Sequence, residues 1–157
     1  RLIKIYKKIE EIDTENVYQQ MVVNITQYLK LLGIESPHFG MMTLVETVSK
    51  KIPETIIAQK VVKVLSKKVS IEGPIAPDVA LSREAATKKG LESEIAGEID
   101  VFLMPSTTAA NHLVKGLSDL GGCKVGGVIV GASVPVILLS RSDDAETKYR
   151  SILLGLV

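Results

Sequence analysis

Apolar positions along this chain alternate between helical spacing and short unbroken runs. Val17, Met21, Ile25, Tyr28, Leu29 and Leu32 recur at three- and four-residue intervals, the repeat that gathers side chains on one helix face. Asp13 or Thr14 can cap that helix, and Gly33 stands where a left-handed C-terminal cap is wanted. Residues 1–12 carry a mixed basic, acidic and apolar pattern that predicts an earlier helix. Residues 39–44 form an apolar run beside Pro37, read as a buried strand. Pro53 then opens a helix with Ile57, Val61, Val64 and Leu65 on its apolar side and Lys60, Lys63 and Lys67 opposite.

The rest of the chain repeats this alternation. A short strand is expected at 69–71, ahead of a Gly73–Pro74 turn, then short helices over 78–90 and a strand at 100–104 ending before Pro105. Helical character returns over 108–120 and stops at Gly121 and Gly122. Two β-branched runs, 125–130 and 134–139, flank Gly131 and Ala132 and predict two buried strands. From Asp143 the pattern predicts a final helix, with Tyr149, Ile152, Leu153 and Leu156 as its apolar face. Strands alternating with helices imply an α/β fold, a mostly parallel sheet with helices on both faces.

Composition narrows the function. With 157 residues the chain holds one domain, or one domain and a fragment of a second. Nineteen basic against 18 acidic residues leave a net charge of +1, which argues against a nucleic-acid or anionic-membrane partner. The apolar stretch 125–139 is too short for a membrane span and contains Gly126, Gly127, Gly131 and Pro135. Cys123 is the only cysteine, so no internal disulfide or cysteine-based zinc site can form. His38 and His112 lack ligand spacing, so no metal is expected. The Asn24-Ile25-Thr26 sequon lies within a helical pattern and is read as accidental. The chain starts at Arg1 without an initiator Met, and a piece of a longer protein is expected.

Ligands of open α/β sheets collect beyond the carboxyl ends of the strands. Four segments fit: 43–49, 72–78, 105–115 and 140–143. In the last, Ser140 and Arg141 precede a helix start, where free N–H groups favour an anion and a guanidinium fork suits phosphate oxygens. Taken alone, the same residues are explained by Asp143 and Glu146 forming a capping box and Arg141 pairing with a surface carboxylate. Gly73, Pro74 and Asp78 read equally as a turn and a helix cap. Asn111 and Lys115 are four apart and share a helix face. Cys123 has no base nearby, and the glycines of 121–131 match no nucleotide fingerprint.

Several spaced motifs, taken in order, resemble the phosphate butyryltransferase and phosphate acetyltransferase family. They are LGIESPHFGMMTLVETVSKKIPET, IEGPIAPDVALSREAATKKGLESEIAGEIDVFLMP, NHLVKGL and KVGGVIVGASVPVILLSRSDDAETK. The resemblance implies an isocitrate/isopropylmalate dehydrogenase-like fold of two α/β domains with a cleft. It assigns 1–130 to the second, cleft-forming domain with its leading helices. Residues 131–157 become a C-terminal strand and helix returning to a first domain, most of which is absent. It implies acyl exchange between coenzyme A and inorganic phosphate, with no metal or bound cofactor, in a cytoplasmic homodimer.

By the same resemblance Arg141 binds phosphate and Ser140 stabilises the tetrahedral species. Asn111 and Lys115 approach coenzyme A, and Thr43, Gly73, Pro74 and Asp78 line the cleft. Where acetyl-specific members carry an aspartate in the helix after Ser-Arg, this chain has Thr147, with Glu146 beside it as a substitute base. Ser106 replaces an acidic residue and Ala110 a glycine. Those departures favour the rival expectation, a non-catalytic relative that binds coenzyme A or phosphate.

Overall fold

The computed structural model describes residues 14–157 apart from Pro135; the helix expected over 1–12 lies outside them. The first described helix, α1 (Thr14–Leu31), packs on α2 (Pro53–Leu65). Its buried stripe is Tyr18, Val22, Ile25 and Leu29, while Leu32 is exposed. The stripe is thus turned by one residue from the expected Val17 and Met21. Tyr18 takes the inner position because its hydroxyl donates to the Met104 carbonyl, 3.1 Å away, so the ring can be buried without orphaning its polar end.

The sheet has three parallel strands in the order β2-β1-β3: β1 (Phe39–Met42), β2 (Ile71–Ile75) and β3 (Val101–Leu103). All four residues of β1 are buried, as expected for a central strand covered on both faces. Alternation divides the sheet's side chains. Phe39, Met41, Val101 and Leu103 join α1 and α2 on one face. Met42, Ile75 and Phe102 meet Val79, Ala80, Ala86 and Ile95 on the other, from α3 (Pro77–Leu81), α4 (Arg83–Lys88) and the loop after them. The α/β class with helices on both faces is as the pattern predicts.

β2 departs from the expectation of a strand at 69–71 followed by a turn. It runs through the cis Gly73–Pro74 bond to Ile75. Pro74 has no N–H, and its place on an edge strand accommodates that. Gly73, at φ +156°, lies so close over β1 that an added Cβ would sit 2.5 Å from the Met41 Cβ. Beside it, Glu72 accepts from Ser93 Oγ and the Glu94 amide, 2.5 and 3.0 Å away, tying the loop before β3 to the sheet.

Residues 125–139 depart further. Among the described residues they form no strand; one antiparallel bridge joins Ile129 and Val136, and Val134 and Leu138 are exposed. A β-branched run becomes a buried strand only when a neighbour pairs its backbone and covers its side chains, and a lone pair is marginal in water. The final helix, α6 (Ala145–Leu154), leaves Tyr149, Ile152, Leu153 and Leu156 exposed. That expected apolar face has no cover among the described residues. α6 is held instead by polar contacts: Ser151 Oγ accepts from the Gly127 amide, Arg150 Nε donates to the Val125 carbonyl, and Tyr28 donates to the Leu154 carbonyl.

Two substitutions test this packing by urea unfolding. Gly73→Ala should destabilise by roughly 1–3 kcal/mol, because Met41 is backed by the core and cannot retreat. Thr55→Val should also lose roughly 1–3 kcal/mol. Thr55 is fully buried, accepts from the Ser49 amide at 2.9 Å and donates to the Ile52 carbonyl at 2.7 Å, so valine would orphan the Ser49 N–H.

Candidate functional site

The chain leaves β1 toward α2 on one face of the sheet, but leaves β2 toward α3 on the other. It leaves β3 toward α5 (Thr107–Lys115), whose Leu113 packs with that second face. The connection after the central strand therefore diverges from both neighbours. Such a divergence at the carboxyl edge is a topological switch point, the place where open sheets take ligands.

Thr43, at the end of β1, is buried. Its amide donates to the Ile75 carbonyl, 3.0 Å away, and its hydroxyl to the Val45 carbonyl, 2.7 Å away. It shapes the loop, with its hydroxyl proton already committed. Gly73 and Pro74 lie within β2 rather than in a turn beyond it, so they approach the edge through the strand backbone. Asp78 is in the first turn of α3 and its carboxylate meets Lys89 Nζ at 2.9 Å; the same ammonium meets Glu46 at 2.8 Å. Hydrogen bonding to Lys89 holds the Asp78 carboxyl below the usual carboxylate range. Bonds to Glu46 first, and Asp78 second, raise the Lys89 ammonium above its ordinary value.

Beyond the carboxyl end of β3, Ser106 caps α5 by accepting from the Ala109 amide at 3.1 Å. A hydroxyl serves that purpose as well as the acidic residue it replaces. Asn111 is exposed on α5, and Lys115 closes the helix with a loose 4.0 Å contact to Asp119. The helical pattern continues as one π-turn over Gly116–Leu120.

Ser140 and Arg141 form a separate group. The Ser140 amide donates to Asp143 Oδ2 at 2.7 Å, and its hydroxyl lies 3.0 Å from that of Ser142. Arg141 is exposed and makes no hydrogen bond or ion pair among the described residues, so the expected surface pairing is absent. The expected capping box is also corrected. Asp144, not Asp143, caps α6 by accepting from the Thr147 amide at 2.7 Å. Asp143 closes the Ser140 turn instead, and Glu146 pairs with Arg150 at 2.6 Å. Four residues separate that pair, one helix turn, and Arg150 is itself anchored to Val125.

Two open hollows of about 600 Å³ occur, one at the amino ends of the strands around His38 and Asp100, the other around Glu72 and Arg83. None of the site residues expected from the sequence lines either hollow. Glu46 and Lys89 were missed by sequence reasoning. Glu46 sits inside the quoted ETV run, but Lys89 lies 43 residues away and only the fold joins them. Among the described residues no group of three or more potential metal ligands occurs, and no helix is long and apolar enough to cross a membrane.

Comparison with known proteins extends these observations. The profile of the family described as phosphate acetyl/butaryl transferase matches residues 14–155. The chain is 40% identical over 139 residues to a phosphate butyryltransferase of Clostridium acetobutylicum, covering 86% of this chain and 46% of the relative. It is 37% identical to a phosphate acetyltransferase of Thermotoga maritima, covering 87% and 48%. A solved branched-chain phosphotransacylase from Enterococcus faecalis superposes with a TM-score of 0.84 at 32% identity, over 92% of this chain and 53% of that one. The chain thus spans about half the length of the curated relatives it matches.

The Asp144 cap has a measurable pH signature. The hydrogen bond from the Thr147 amide holds the Asp144 carboxyl below its ordinary value. Its stabilising effect is therefore present above the unfolded carboxylate pKa and is lost as pH falls through the folded one. Asp144→Asn, which keeps an acceptor, should flatten that acid limb of the melting-temperature profile. Asp144→Ala should lower the melting temperature across the neutral range as well.

Proposed function

Because this chain belongs to the phosphate acetyl/butaryl transferase family, we propose that it is the coenzyme A-facing part of an enzyme exchanging a short or branched acyl group between coenzyme A and inorganic phosphate. A phosphate oxygen attacks the thioester carbonyl, the carbonyl oxygen becomes an oxyanion, and the C–S bond breaks. The products are acyl phosphate and coenzyme A, whose thiolate takes up the proton lost by phosphate. The observation that carries the reading is Arg141, an exposed guanidinium without a partner among the described residues at the approach to α6.

In this reading Arg141 binds phosphate, whose charge and planar spacing its fork matches. Ser140 steadies the oxyanion as a hydroxyl donor, with the Ser142 hydroxyl as donor in their mutual contact. Asn111 and Lys115 approach the nucleotide end of coenzyme A, and Thr43, Gly73, Pro74 and Asp78 shape the cleft wall. Glu146 would act as base toward the thiol only after release from Arg150. No nucleic acid or membrane enters as partner.

The domain assignment follows from the same premise. Residues 1–130 form the cleft domain, and 131–157 return to a first domain lying largely outside this sequence. The half-length coverage of the relatives and the uncovered apolar face of α6 support this. An isocitrate/isopropylmalate dehydrogenase-like arrangement of two domains, assembled as a cytoplasmic homodimer, completes the reading.

A second reading, a relative that binds coenzyme A or phosphate without catalysis, is favoured by Glu146 being engaged with Arg150 and by Thr147 at the position of the family aspartate. Thiol release from butyryl-CoA, measured with and without phosphate, separates the two. Phosphate-dependent release is expected, with Ser140→Ala lowering turnover on the order of 10²–10³-fold, as for loss of one oxyanion-stabilising donor, and Arg141→Ala weakening the dependence on phosphate. Coenzyme A binding with no thiol release selects the second reading, and release unaffected by Arg141→Ala would falsify the role given to that residue.

A further inference from the structure

The segment that carries Ser140 and Arg141 meets α1. Within the segment, Arg150 and Ser151 bond to Val125 and Gly127. Tyr28 of α1 reaches instead across 126 positions of sequence and donates its hydroxyl to the Leu154 carbonyl, 2.7 Å away. That carbonyl ends α6, one of the acceptors a helix terminus leaves without a helical donor. Asn24 lies four residues before Tyr28, on the same face of α1. Gly131 sits so close to it that an added Cβ would meet the Asn24 side-chain amide. Beside Gly131, Val130 packs on the core cluster that α1 shares with α2. A separate stripe of α1, Tyr18, Val22, Ile25 and Leu29, is buried. The helix is therefore anchored in the core by one stripe while Asn24 and Tyr28 hold the C-terminal segment with another.

We propose that Tyr28 is a positioning residue for acyl transfer: by holding the carboxyl end of α6 to α1, it sets where Ser140 and Arg141 stand at the other end. This rests on the acyl-transfer reading, which gives those two residues their roles. The physical argument is leverage. With ten residues, α6 is roughly 15 Å long, so a tilt of about 4° at its held end moves the other end by about 1 Å. A misplacement of that size can cost on the order of 10²-fold in rate. Asp144 caps the start of α6, and Asp143 closes the turn that holds Ser140. Movement of the helix is thereby passed to the Ser-Arg turn through fixed bonds. Burial raises the Tyr28 phenol above its ordinary value, which keeps it a donor through the neutral range.

The test uses the whole chain with Tyr28→Phe, which keeps the ring and removes the bond. Amide exchange over 150–157 should quicken about fivefold, the loss expected for one net hydrogen bond. Exchange over 39–42 and 101–103 should match the parent, showing an intact core. Thiol release from butyryl-CoA at saturating phosphate should fall about fivefold in kcat with the KM for butyryl-CoA unchanged, since the reacting geometry is held for less of the time. Ser140→Ala supplies the readout that a merely structural role would not move. Tyr28→Phe added to it should cost less than about twofold more, because the group being positioned is already gone. Equal fold-losses with and without Ser140, unchanged exchange over 150–157, or unchanged kcat in Tyr28→Phe overturns the proposal and leaves acyl transfer standing. A parent chain that releases no thiol overturns both, and that outcome is distinct because it shows before any substitution is made.

Discussion

The structure depends on a central strand that has to be buried on both sides. Phe39, Met41 and Met42 point alternately into two apolar clusters, each large side chain contributing roughly 1.5–3 kcal/mol when removed from water. Gly40, between them, lies against Ile99 and Ile75, and an added Cβ would sit 2.9 Å from the Ile99 Cδ1 and make that side chain shift. Neither cluster can be filled by a chain that always turns the same way after a strand. The connection after β1 goes to one face and those after β2 and β3 go to the other. The divergence of the connections at the carboxyl edge is a consequence of filling the core, and the loops gather their polar residues there for that reason.

Polar groups near this edge divide by whether their bonding capacity is already used. Thr43 and Thr55 spend their hydroxyl protons on backbone carbonyls and shape the loop between β1 and α2. Glu72 spends its carboxylate on the turn at Ser93 and Glu94. Lys89, Glu46 and Asp78 satisfy one another. Arg141 is different, a cation with no partner among the described residues, on a segment whose own contacts are local. That contrast between committed and uncommitted groups, more than any hollow, separates scaffold from candidate chemistry here.

The C-terminal segment follows another logic. Its ties to α1 and within itself are mostly directional: Tyr28 to Leu154, Ser151 to Gly127, Arg150 to Val125. Polar bonds of this kind fix orientation but contribute little net stability. The apolar side chains that would ordinarily anchor a helix have no cover among the described residues. The segment is oriented by these bonds within a chain that spans about half of each relative's length.

Local patterning was enough to place α2, the β1 and β3 strands and the α/β class, because helical spacing and short buried runs are properties of adjacent residues. It also supplied the family through spaced motifs. It failed at 125–139, where β-branched runs predict strands but only a covering neighbour can make them so, and at β2, where Gly73 and Pro74 read as a turn until an edge position absorbs them. The inward turn of Tyr18 depended on a carbonyl 86 residues away. Ser140, Arg141, Asn111 and Lys115 were legible as chemical types, whereas the Lys89 cluster was not. A sequence by itself determines which residues can bond and which must be buried; only the tertiary structure decides which partners reach them, because pairing across the fold is a matter of distance rather than order along the chain.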